Sequence, residues 1–90
     1  MSGGAAAQPA RVCVVGGAGF VGSVLVELLL DHGYEVTILD ALLYGDDGIR
    51  HLLDRPGLSL VSGDLRDITV TVRAFRHASA VIHLGVPGQK

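Results

Sequence analysis

Four glycines within seven residues, in Gly16-Gly17-Ala18-Gly19-Phe20-Val21-Gly22, join an apolar run to the start of a helical pattern. A turn without side chains lets backbone N–H groups and the positive end of the following helix face an anion, so the chemistry it suits is diphosphate binding. In such a turn one glycine permits the tight bend, one lets the backbone approach the phosphates, and one brings helix and strand together. The spacing reads as Gly16-x-x-Gly19-x-x-Gly22 or as Gly17-x-Gly19-x-x-Gly22, and both registers stay open. Asp40 closes a second apolar run 18 residues after Gly22, where a carboxylate can grip a ribose hydroxyl pair.

The other chemistry-bearing residues read more plainly. Cys13 falls between Val12 and Val14 in a strand-like run, where a thiol behaves as a small buried hydrophobe. His83 reads as a satisfied core histidine of a later strand. His32, His51 and His77 fall near helical positions without metal-ligand spacing, so no metal site is expected. Asp46-Asp47 reads as a solvated turn and helix start. Asp67 reads as a helix cap, whereas Asp64 divides between a ligand contact and a turn-stabilising role.

Positioning these residues requires alternating strands and helices. Short apolar runs rich in β-branched residues predict strands at 11–15, 35–40, 58–62 and 80–84, each suited to burial on both faces. Helices are expected at about 20–32, ended by Gly33, at 47–54, stopped by Pro56-Gly57, and at 67–77, capped by Asp67. The apolar residues of the first helix nearly encircle it, which implies cover on more than one side. The third contains Val70-Thr71-Val72, a run with strand-like propensity. Right-handed crossovers then give an α/β fold, a partial Rossmann (doubly wound) parallel sheet of four strands in order 3-2-1-4 with about three helices. Its ligand belongs at the carboxyl ends of strands 1 and 4.

Bulk properties narrow the partners. Ninety residues allow one small domain, and 49% hydrophobic with 18% charged residues supply a core. A net charge of −2 with dispersed arginines excludes a nucleic-acid surface. The longest apolar stretch is broken by Glu27 and falls far short of the roughly 20 residues that span a bilayer, so no membrane partner is expected. Residues 1–10 read as a flexible small-residue leader without the pattern of a secretion signal, and the single cysteine fits a cytoplasmic protein.

Four blocks in order resemble the amino-terminal part of the extended short-chain dehydrogenase/reductase family, the NAD-dependent epimerases and dehydratases that act largely on nucleotide sugars. They are Gly-Gly-Ala-Gly-Phe-Val-Gly at 16–22, Val-Thr-Ile-Leu-Asp at 36–40, Gly-Asp-Leu-Arg-Asp at 63–67 and Val-Ile-His-Leu at 81–84. The resemblance implies that residues 11–90 form a truncated NAD(P)-binding Rossmann domain. It places Gly16, Gly19 and Gly22 at the pyrophosphate, with Phe20 and Val21 opening the helix above it. Asp40 would accept from the adenosine ribose, which favours NAD over NADP because a 2′-phosphate would meet like charge. Asp64 and Leu65 would flank the adenine, with the Asp64 carboxylate accepting from the exocyclic amine, and the backbone of Leu84, Gly85 and Val86 would pass the nicotinamide-side ribose.

The sequence also departs from the family. Val15 stands where the family usually has Thr, Gly85-Val86 replaces paired alanines, and Ser79 replaces a frequent acidic residue. Family catalysis uses a Tyr-x-x-x-Lys pair, in which the lysine lowers the tyrosine pKa for proton transfer. Here Tyr34 and Tyr44 are followed four residues on by Ile38 and Gly48, and the sole lysine is Lys90. The family resemblance therefore implies an oxidoreductase, isomerase or lyase whose 90-residue portion binds cofactor without turning over a nucleotide sugar, a substrate expected only for a full-length relative. A nucleotide-binding module without chemistry, a truncated gene product, and a different Rossmann ligand such as FAD remain the alternatives. A sheet that stops at strand 4 would expose an edge and favour self-association.

Overall fold

A computed structural model describes residues 10–42 and 47–84. The predicted leader, apart from Ala10, lies outside the described residues, as do Tyr44, Gly85, Val86 and Lys90. Seven elements follow in order: β1 (Arg11–Val15), α1 (Phe20–Asp31), β2 (Glu35–Asp40), a 3-10 turn (Arg50–Leu52), β3 (Leu58–Ser62), α2 (Ile68–Phe75) and β4 (Ala80–His83). The four strands form one parallel sheet in the order β3-β2-β1-β4, the order expected from right-handed crossovers.

Strand parity sorts the core into two layers. Val12 and Val14 of β1 and Val36 and Ile38 of β2 face α1, where they meet Val26, Leu30, Ile49 and Leu52. The alternate residues Cys13, Val15, Leu39 and Val61 face α2 and pack around Ala74. Leu58, Leu60 and Ile82 extend the α1-side layer at its margins. This two-sided burial is why the strands read as continuous apolar runs.

Local signals set the helix limits. Gly33 ends α1 with φ +89°, a left-handed conformation that glycine adopts without steric cost. Asp67 caps α2, its Oδ1 accepting from the N–H groups of Thr69 at 3.0 Å and Val70 at 3.4 Å. The cap and the burial of Ala74 outweigh the strand propensity of Val70-Thr71-Val72.

The helix expected over 47–54 is instead a 3-10 turn. Leu52 N–H donates to Ile49 O, Leu53 N–H to Arg50 O and Arg55 N–H to Leu52 O, a run of three-residue closures. Only Ile49 and Leu52, three residues apart, reach the core from this segment, and that spacing matches a 3-10 period. The described residues thus hold two α-helices and this turn. β4 ends at His83, although Leu84 N–H still donates to Val15 O at 2.8 Å.

His83 also departs from expectation. It is exposed, on a strand that lies at the sheet margin and pairs with β1 alone among the described residues. Val81, on the same face, is 45% exposed. Cys13 is fully buried, and desolvation pushes its thiol pKa up.

Candidate functional site

The carboxyl ends of the strands lie level: Val15 is in register with Leu39 and His83, and Asp40 with Ser62. The ladder continues one step beyond, with Gly16 N–H donating to Leu39 O at 2.8 Å and Gly63 N–H to Asp40 O at 3.0 Å. Residues 16–22, 40–42 and 63–65 therefore emerge along one rim.

The four glycines of the turn have different reasons to lack a side chain. Gly16 takes φ +83°, which starts the bend. A Cβ on Gly17 would come within 3.1 Å of Val14 Cγ1 and 3.2 Å of Ile38 Cγ1, so this residue is sealed against the core. A Cβ on Gly22 would lie 2.6 Å from Gly17 Cα and 2.8 Å from Gly16 O, so α1 can cross the turn only if residue 22 is glycine. Gly19 differs from all three. Among the described residues, its chain neighbours apart, a Cβ there would meet nothing nearer than Gly16 O at 3.8 Å, and its backbone is extended, with φ −77° and ψ 177°. Nothing among the described residues demands glycine at 19, and the space beside it is open among them.

α1 begins directly after Gly19. Its first intrahelical bond is Ser23 N–H to Gly19 O at 2.8 Å, so the N–H groups of Phe20, Val21 and Gly22 have no acceptor within the helix. Gly19 supplies no capping side chain. Phe20 and Val21 are exposed, as are Val24 and Leu28 along the same helix.

Asp40 faces this turn. It shares the parity of Val36 and Ile38, which places its side chain on the α1 side, and its Oδ2 accepts from Ala18 N–H at 3.0 Å. Its Oδ1 accepts from Leu42 N–H at 2.7 Å. Leu42 has φ +57°, an uncommon conformation for a residue with a side chain, and is held there by this bond and by packing on the core. Sequence reasoning paired Asp40 with the turn by chain distance and missed this direct hydrogen bond.

Asp64 is committed to its own turn. Its carboxylate accepts from Arg66 N–H at 2.8 Å and from the guanidinium Nη2 at 2.7 Å. The side-chain and backbone hydrogen bonds from Arg66 hold its pKa down at about 2. Leu65 is exposed beside it, and its carbonyl accepts from Thr71 Oγ1. Gly63, ahead of them, is sealed by α2: a Cβ would come within 2.7 Å of Val70 Cγ1. Leu84 packs partly on the α1-side core, while Gly85 and Val86 lie outside the described residues.

Gly48 was not expected here. A Cβ on it would lie 2.9 Å from Ala18 O, so the chain returning from β2 presses its backbone against the glycine turn. No sequence pattern around Gly48 signals this approach. Tyr34, by contrast, precedes β2 and so stands at the opposite end of the sheet from the turn. Among the described residues, no group of three or more His, Cys, Asp or Glu could hold a metal ion, and no helix is long and apolar enough to cross a membrane.

Residues 12–90 match the model of the NAD dependent epimerase/dehydratase family. The bifunctional dihydroflavonol 4-reductase/flavanone 4-reductase of Pyrus communis is 40% identical over 82 residues, covering 84% of this chain and 23% of that protein. An epimerase from Methanothermobacter thermautotrophicus superposes with a TM-score of 0.77 at 34% identity, over 88% of this chain and 23% of its own. UDP-glucose 4-epimerase of Thermus thermophilus, solved in complex with NAD, gives 0.69 at 42% identity over 84% of this chain and 24% of its own. The chain thus spans about a quarter of the length of these relatives.

Proposed function

Since this chain belongs to the NAD-dependent epimerase/dehydratase family, we propose that it is the NAD-binding, amino-terminal portion of a nucleotide-sugar epimerase- or dehydratase-type oxidoreductase working in the cytoplasm. Gly19 carries this reading. Its missing side chain serves no contact among the described residues, yet it leaves an opening beside the first amides of α1, which have no acceptor within the helix, and a diphosphate suits that opening. Relatives solved with NAD, such as the Thermus thermophilus epimerase, support the same ligand.

In this reading Gly16, Gly19 and Gly22 form the bend, and the N–H groups of Phe20, Val21 and Gly22 donate to diphosphate oxygens. The Asp40 carboxylate accepts from the adenosine ribose hydroxyls through lone pairs that Ala18 and Leu42 leave unused, since each of its oxygens takes one backbone N–H and can accept another donor. Its negative charge repels a 2′-phosphate, which favours NAD over NADP. Asp64 and Leu65 border the adenine. Because the Asp64 side chain is already engaged by Arg66, Leu65 supplies apolar contact while the Asp64–Arg66 pair shapes the wall. Leu84, Gly85 and Val86 run beside the nicotinamide-side ribose.

NAD, when bound, supplies a carbon that accepts and returns a hydride. The 90 residues contribute grip and orientation without a Tyr-x-x-x-Lys pair, so they bind cofactor without turnover of a nucleotide sugar. Self-association through the side of β4 that pairs with no strand among the described residues belongs to the same proposal.

Titration calorimetry with NAD, NADP and FAD tests the cofactor. NAD is expected to bind most tightly, and preference for either of the others contradicts the assignment. An assay with UDP-glucose and NAD separates the parts of the proposal, since robust turnover by these residues alone contradicts the claim that they lack proton-transfer chemistry.

A further inference from the structure

Ala18 is held through both of the peptide groups that flank it. Its N–H donates to Asp40 Oδ2 at 3.0 Å, and its carbonyl oxygen lies where a Cβ on Gly48 would come within 2.9 Å. The same Cβ would stand 3.6 Å from Gly19 O, so Gly48 backs the residue that leads into α1. Asp40 and Gly48 bound one connection, the segment that leaves β2 and returns to the 3-10 turn.

Each end of that connection is independently fixed. Asp40 is held through its backbone, whose carbonyl accepts from Gly63 N–H in the sheet ladder. Gly48 is held by its neighbour Ile49 and by Leu52, both almost wholly buried against the α1-side core. Gly48 does not occupy the left-handed region, so its backbone conformation imposes no need for glycine. What excludes a side chain at 48 is the turn itself.

We propose that Gly48 is a positioning residue of the dinucleotide site: by lacking a side chain it lets its own backbone lie against the Ala18 carbonyl, so that Asp40 and Gly48 together set the tilt of the Ala18–Gly19 backbone and aim the first amides of α1. This deepens the NAD reading above and rests on it. A Cβ at 48 would push the Ala18 carbonyl and turn its N–H away from Asp40. The defect should fall on ligands that carry a diphosphate, and spare adenosine, which has none.

The test compares wild type with Gly48→Ala by calorimetric titration of NAD, ADP and adenosine. We expect NAD and ADP to bind about tenfold more weakly to the variant, the size of one lost charge-assisted hydrogen bond, with adenosine affinity unchanged. Unchanged NAD affinity overturns the proposal, and so does an equal loss for adenosine, which would mark a merely structural role. Should Gly48→Ala fail to fold, amide exchange on the wild type decides: Ala18 N–H is expected to be protected without ligand and slower still with ADP, and an unprotected or ADP-insensitive amide overturns the clamp. A wild type that binds no NAD while Ala18 stays protected refutes the underlying site reading, and with it the assigned purpose of the clamp.

Discussion

Asp40 Oδ2 accepts the N–H of Ala18 at 3.0 Å, joining the carboxylate that closes β2 to the glycine turn that follows β1. The two residues are 22 positions apart, and parallel pairing of β1 with β2 brings them together. Because the same carboxylate also accepts from Leu42, replacing one oxygen by an amide nitrogen leaves a donor facing a donor. Asp40→Asn is therefore expected to lower unfolding free energy by about 1–3 kcal/mol in urea titrations. It should also narrow the preference for NAD over NADP measured by calorimetry, since the charge that repels a 2′-phosphate is gone. An unchanged preference would remove Asp40 from the ribose site.

Gly22 and Gly17 approach so closely that a methyl at 22 would overlap backbone atoms, which cannot swing aside as a side chain can. Gly22→Ala should cost about 1–3 kcal/mol of stability or more, with NAD binding lost alongside. Urea denaturation checks the first part. A variant as stable as wild type would mean that α1 does not cross the turn at this distance.

The Asp64–Arg66 pair makes a prediction about pH. A carboxyl whose folded pKa is lowered contributes stability that is present above its ordinary value of 3.8 and is lost as pH falls toward about 2. The pair is solvent-exposed, so that contribution is small. NMR titration of the Asp64 side chain should give a midpoint near 2, and Arg66→Ala should raise it part of the way toward the ordinary carboxylate range, because the backbone N–H of residue 66 still donates. A midpoint near 3.8 in the wild type would mean that the hydrogen bonds are not kept in solution.

β4 pairs with β1 on one side and with no other strand among the described residues, and Val81 is exposed on its face. Sedimentation velocity over a dilution series should show self-association, weakened by Val81→Lys, because charge on an edge strand opposes pairing. A single monomeric species at every concentration would contradict the proposed self-association.

Much of this architecture is legible in the sequence because each strand is a short apolar run bounded by a clear stop, as at Val15-Gly16 and Gly33. Asp67 likewise announces the start of α2 through its type alone. The 3-10 turn was less legible, since Ile49 and Leu52 fit one helical face as well as a three-residue period. At the candidate site, the motif marks Gly19 and Asp40, but the bond from Ala18 depends on strand parity and register. The roles of Gly17 and Gly48 depend on which atoms fold against them, Val14 and Ile38 in one case and Ala18 in the other. His83 shows the same limit: an apolar run reads as buried, and only the position of β4 at the sheet margin exposes it.

Gly19→Ala offers the most direct test of the site. Its extended backbone and the space left open by the described residues accept a methyl, so unfolding free energy should change by no more than about 1 kcal/mol, including the poorer cap that alanine makes. Calorimetry on this folded variant should then show NAD affinity lost, because the methyl fills the space assigned to the diphosphate. If Gly19→Ala binds NAD as tightly as the wild type, the diphosphate does not lie in this turn.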